Sequence, residues 1–142
     1  MPNLQEDFAL AVRATDAADQ ISLAGFSSRS FGVSRKADNS EVTEIDRATE
    51  KAIVEVFTAE RPSYGIFGEE YGVSGPANAE YQWVIDPIDG TRASVRGRDG
   101  WAVSIALVEG GRATLAVLDA PARGEHWRAA RGTGAVRNGA TI

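Results

Sequence analysis

The stretch WVIDPIDGTR, Trp83 to Arg92, joins an apolar run to two carboxylates three residues apart, Asp86 and Asp89, and closes on Gly90-Thr91-Arg92. Trp83-Val84-Ile85 has the β-branched and aromatic character of a buried strand. Pro87 has no N–H to give to a sheet ladder, so the strand is expected to end at Asp86 and the chain to bend there. A bend of this kind can aim both carboxylates and the Ile88 carbonyl at one point, the all-oxygen surroundings that suit Mg²⁺ or Mn²⁺. Gly90 and Thr91 would then offer backbone N–H groups to a phosphate if a short helix begins there. Read alone, DPIDG is equally an Asp-rich turn whose side chains satisfy their own backbone.

Upstream, Leu4, Phe8, Ala11, Ala14, Ala18 and Ile21 recur at three- and four-residue spacing. Arg13, Asp16, Asp19 and Gln20 fall between them, so an amphipathic helix is expected with these four on its polar side and Gly25 at its end. Ile45, Ala48, Ala52, Ile53, Val56 and Phe57 give a second helical stripe, which Pro62 should stop. Beyond it come five short β-rich runs, YGIF, YQWVID, WAVSIALV, ATLAVL and EHWRAA. The connections EGGR and DAPARGE are too short for a crossover helix, so the last three runs should form antiparallel hairpins. GVSGPANAEY, Gly72 to Tyr81, reads as an exposed loop. The expected fold class is α+β, two helices packed on a mostly antiparallel sheet, in one domain over residues 1–142.

Composition narrows the chemistry. A formal charge of −5 argues against a nucleic-acid partner, which needs clustered Lys and Arg. Zero cysteines exclude disulfides, thiolate zinc sites and Cys nucleophiles, and the one histidine, His126, reads as a surface strand residue. No apolar run reaches membrane-spanning length and no leader pattern opens the chain, so no membrane partner and a cytoplasmic location are expected. Trp83, Trp101 and Trp127 lie on apolar runs and should pack in the core.

Acids recur at two further places. Thr43 precedes Asp46 by three residues at the start of the second helical stripe, a spacing that also fits a capping box. Glu69 and Glu70 follow the apolar pair Ile66-Phe67 where a strand should end. Each is unremarkable alone, but strand-end acids at both 69–70 and 86–89, with Thr91 beside them, together suggest a magnesium-dependent phosphate site.

VTEID with Glu50 behind it, GEE and DPIDGT, in this order, resemble the inositol monophosphatase-like family of metal-dependent phosphomonoesterases. The later AARGTGAVRNG resembles the family's Gly-x-Gly-Ala and Asn-Gly pattern on a β-hairpin. The resemblance implies a layered α/β sandwich of the sugar-phosphatase type, of which this chain would be the N-terminal, metal-binding portion. It further implies that Glu69, Asp86 and the Ile88 carbonyl hold a first Mg²⁺ (or Mn²⁺), that Asp86 and Asp89 hold a second, and that Asp86 bridges. Asp46 and Thr91 would orient the attacking water, Glu70 would support metal-bound waters, and the Gly90 and Thr91 amides would bind the substrate phosphate.

The texture of the later motifs is most similar to histidinol-phosphate phosphatases of actinobacterial type. Hydrolysis of histidinol phosphate in histidine biosynthesis is therefore the expected reaction. Inositol monophosphate and other small sugar phosphates are the alternative substrates, and a non-catalytic fragment that binds a metal or a partner is the alternative of another class. A small phosphorylated metabolite is the implied partner, with a homodimer as the assembly common in the family. Family members carry a further ligating Asp, usually after Trp, in a C-terminal half; no Trp-Asp pair occurs in this chain.

Overall fold

The computed structural model of the chain describes residues 3–28, 33–35, 41–89 and 101–142. Helix α1 spans Leu4–Ser28 and starts on Asn3, whose side-chain Oδ1 accepts from the N–H of Gln5 at 2.9 Å and of Glu6 at 3.2 Å. Ala11, Ala14 and Ala18 of its expected stripe are buried, Leu4, Phe8 and Ile21 are partly so, and Leu10, outside that stripe, is buried as well. The helix does not stop at Gly25. A β-carbon there would come within 2.6 Å of Ile45 Cδ1, so the glycine lets α1 lie close to the start of the next helix rather than ending its own.

A short hairpin, β1 (Val33–Arg35) and β2 (Glu41–Thr43), leads directly into helix α2, Glu44–Glu60. The second stripe is buried through Ile45, Ile53 and Phe57. The far end of α2 is tied to the beginning of α1 by a buried carboxylate. Asp7 accepts from Arg61 Nε and from the Tyr64 hydroxyl, each at 2.7 Å.

The remaining strands are β3 (Gly65–Gly68), β4 (Gly72–Ser74), β5 (Tyr81–Asp89), β6 (Ala102–Glu109), β7 (Arg112–Ala120), β8 (Glu125–Ala130), β9 (Gly134–Arg137) and β10 (Ala140–Thr141). They form one sheet in the order β10-β9-β8-β7-β6-β5-β3-β4. From β5 to β10 every neighbour in sequence is an antiparallel neighbour in space, and only β3 and β5 run parallel. The α+β expectation of two helices on a mostly antiparallel sheet therefore holds.

Two further local expectations fail. Gly72–Ser74 is not loop, because it pairs with β3 as the edge strand β4. Nor does the strand through Asp86 end there. It runs on through Pro87 to Asp89, with a bulge: Asp86 pairs with Ser104 and Asp89 with Ala102, so three steps on β5 oppose two on β6. The bulge accommodates the missing proline N–H that would otherwise have ended pairing.

Alternation along the strands divides the sheet into two faces. Ile66, Trp83, Ile85, Ile105, Leu107, Leu115 and Val117 meet both helices in one core, where Phe57 stacks flat on Trp83 with ring centroids 3.9 Å apart. Trp101 packs separately with Ile45. Trp127 is only half-buried and carries the Arg137 guanidinium 5.4 Å from its ring centroid, so it is a partner for a cation rather than a core residue. On the opposite face Phe67 pairs with Val73 on one side and Val84 on the other, and all three are exposed. Among the described residues no helix is long and apolar enough to cross a membrane.

Candidate metal and phosphate site

The parallel pair brings the acids of two motifs together. Gly68 pairs with Ile85, and the N–H of Glu69 donates to the Ile85 carbonyl at 3.3 Å. Glu69 and Asp86 are thus the next residues on two strands running the same way, whose backbones lie about 4.8 Å apart. An antiparallel pairing would have placed these two chain segments at opposite ends of the ladder.

Glu50 fixes the turn that presents Glu69. From the second turn of α2 its wholly buried carboxylate accepts the N–H of Glu70 at 2.9 Å through Oε1 and of Tyr71 at 2.7 Å through Oε2. Two charge-assisted bonds to backbone satisfy a carboxylate that burial would otherwise penalise heavily. Space for it exists because position 68 is glycine: a β-carbon there would overlap the Glu50 carboxylate. No role had been assigned to Glu50 beyond its place in the motif. The available signal was a charge within the apolar stripe, three residues before Ile53.

Asp46 lies in the first turn of α2 and is buried, where the amino-terminal end of the helix dipole favours a carboxylate. Glu70 sits in the turn after β3, and Ile88 and Asp89 are the last two positions of β5 beyond the bulge. The chain thus places Glu69 and Asp86 side by side at a strand-end corner that also holds Glu70. Gly90 and Thr91, with Arg92, Arg96 and Arg98 after them, lie outside the described residues. The carboxylates of Glu69 and Asp86 and the backbone carbonyl of Ile88 offer oxygen donors of the kind that suit a hard divalent cation such as Mg²⁺, and the side chain of Asp89 lies outside those described.

A second group of polar residues escaped the sequence patterns. Asp19, expected on the polar side of α1, is buried against β7, where Asp119 takes an inward position one alternation beyond Val117. Burial and the neighbouring Asp119 carboxylate push the Asp19 carboxyl up to about 9. Asp119, although buried, is held below its ordinary value by hydrogen bonding with Asp19 and Arg128. Arg128 Nη1 lies 2.5 Å from Asp119 Oδ1.

Comparison with known proteins agrees with this architecture. The model of the inositol monophosphatase family matches residues 3–142. The histidinol-phosphatase of Mycobacterium tuberculosis is 40% identical over 130 residues, which cover 92% of this chain and 50% of that protein. The Nus factor SuhB of Pasteurella multocida is 38% identical over 130 residues, 91% of this chain and 49% of that protein. Among solved structures, the IMPase of Thermotoga maritima superposes with a TM-score of 0.85 at 31% identity, covering 97% of this chain and 52% of its own. The chain spans about half the length of the curated relatives it matches.

Proposed function

Because the chain belongs to the inositol monophosphatase family, we propose that it supplies the metal-binding part of a magnesium-dependent phosphomonoesterase, with histidinol phosphate as its substrate. The observation that carries this reading is the side-by-side exit of Glu69 and Asp86 from parallel strands. Two carboxylates at one strand end hold a cation well only if the backbone between them is stiff. The Glu50 hydrogen bonds to Glu70 and Tyr71 supply that stiffness on the Glu69 side. The β5–β6 ladder supplies it for Asp86.

In this reading Glu69, Asp86, the Ile88 carbonyl and Asp89 hold Mg²⁺. Asp46 and Thr91 orient a water towards phosphorus, Glu70 steadies the waters around the cation, and the Gly90 and Thr91 amides bind phosphate oxygens. When bound, such cations make water acidic and offset charge on the leaving oxygen. Histidinol phosphate is favoured over inositol monophosphate because several histidinol-phosphatases match at about 40% identity over nearly the whole chain.

The test is phosphate release from histidinol phosphate and from inositol monophosphate with Mg²⁺, for the chain and for Asp86→Asn, beside Mg²⁺ titration of both. Mg²⁺ binding that is lost in Asp86→Asn, with hydrolysis preferring histidinol phosphate, is the expected result. Equal Mg²⁺ binding by the two proteins would remove the assignment of the site, and preference for inositol monophosphate would remove the substrate.

A further inference from the structure

We propose that Asp19, Asp119 and His126 form a second divalent-cation site, of mixed oxygen and nitrogen character, on the helix-covered face of the sheet and separate from the strand-end corner. Each offers one ligand atom, and these atoms lie within 4.8 Å of one another. They arrive from three elements, α1, β7 and β8. Asp119 and His126 are directly opposite in the β7–β8 ladder and so project to the same face.

The atoms are held but not used. Asp19 Oδ1, Asp119 Oδ2 and His126 Nδ1 are all buried, and apart from the contacts they make with one another, which for the two carboxyls need a shared proton, none has a hydrogen-bond partner in the protein. Asp119 is fully buried and Asp19 is 8% exposed, so bulk water does not supply the missing partners. His126 Nδ1 lies 3.1 Å from Asp119 Oδ1, so the imidazole already faces the carboxylate. Buried polar atoms that can satisfy one another only in part carry a penalty that a cation between them would relieve.

The surroundings are rigid enough to preserve the arrangement. Arg128 takes Asp119 Oδ1, which leaves Oδ2 as the oxygen available to a ligand. The backbone of His126 is clamped from the next hairpin: its N–H donates to Asn138 Oδ1 at 2.7 Å and its carbonyl accepts from the Asn138 N–H at 2.8 Å. The imidazole is partly exposed, with a side-chain accessibility of 44%, which gives an ion a route in and leaves room for water ligands. A set of two carboxylates and one imidazole favours a first-row ion such as Zn²⁺ over Mg²⁺.

The experiment is a Zn²⁺ titration in the Asp86→Asn background, which silences the strand-end corner so that failure of that site and failure of this one are separate results. One equivalent of Zn²⁺ should bind, and His126→Ala and Asp19→Asn should each weaken binding at least ten-fold. Co²⁺ in place of Zn²⁺ should give a ligand-field absorption that changes in His126→Ala, a substitution at a partly exposed side chain whose fold is checked by circular dichroism. Absence of saturable Zn²⁺ binding in the Asp86→Asn protein would overturn the proposal, as would binding and a Co²⁺ spectrum that His126→Ala leaves unchanged.

Discussion

Gly68 stands against Glu50 so closely that a β-carbon on the strand would lie 2.9 Å from the glutamate Oε1 and nearer still to Oε2. The carboxylate is the anchor of the turn that carries Glu69 and Glu70, so one glycine governs whether that turn can be held. Gly68→Ala should cost roughly 1–3 kcal/mol, the range for overpacking a well-filled interior. Urea denaturation measures it. In a cycle with Glu50→Ala the double variant should be less destabilised than the sum of the singles, because the clash disappears with its partner.

Glu50→Gln tests the hydrogen bonds rather than the space. An amide accepts from only one of the two N–H groups and turns its own donors towards the other, which leaves a buried donor facing a donor. A loss of about 1–3 kcal/mol is expected. Amide exchange should accelerate at Glu70 and Tyr71 before it does in β6 or β7, and uniform acceleration would show that the carboxylate does not act locally.

Asp7 joins the two helices at the opposite end of the core. Its carboxylate is buried and receives both Arg61 and Tyr64, and Tyr64 has its hydroxyl pushed above the ordinary value by burial and by Asp7. Asp7→Ala leaves the guanidinium of Arg61 with only the exposed Glu6 carboxylate, 3.7 Å away, and should destabilise by roughly 3 kcal/mol, the low end for a broken buried pair. Tyr64→Phe removes one hydrogen bond and should cost about 1 kcal/mol. Comparable losses in the two variants would contradict a network centred on the aspartate.

Asp19 sets a pH dependence whose direction follows from its raised value. Without added cation, the folded chain keeps the Asp19 proton up to about 9, whereas the unfolded chain releases it near the ordinary carboxylate value of 3.8. The stability that this proton confers is complete below the lower value and is lost progressively as pH rises towards the upper one. Asp19→Asn should therefore flatten the decline in Tm across that window. Asp119 acts with the opposite sign: its lowered value confers stability above the ordinary carboxylate range that is lost as pH falls. An unchanged alkaline slope in Asp19→Asn would show that another group sets it.

Much of this architecture is legible in the sequence where periodicity reports burial directly. Ala11, Ala14 and Ala18 of the first stripe, Ile45, Ile53 and Phe57 of the second, and the alternating Val103, Ile105 and Leu107 on β6 lie inside. What misleads is residue type read without neighbours. Gly25 looks like a helix end and is instead a point of close approach to Ile45. Pro87 looks like a strand end and is absorbed by a bulge. Asp19 looks like solvent-facing polarity and is buried beside Asp119. For the candidate site the acids of GEE and DPIDG are visible in the sequence, but their meeting depends on the parallel β3–β5 pairing, and no local pattern encodes that pairing.

The strand order also implies a sequence of assembly. From β6 to β10 each strand finds its partner one short connection away, so this meander closes small loops and can form early. The Glu69–Asp86 corner needs α2, β3 and β5 together, with β3 set between β5 and the edge strand β4. The acids of the corner therefore come together only once α2, β3 and β5 have met, and the part of the molecule proposed to bind metal cannot take shape from any one of these elements alone.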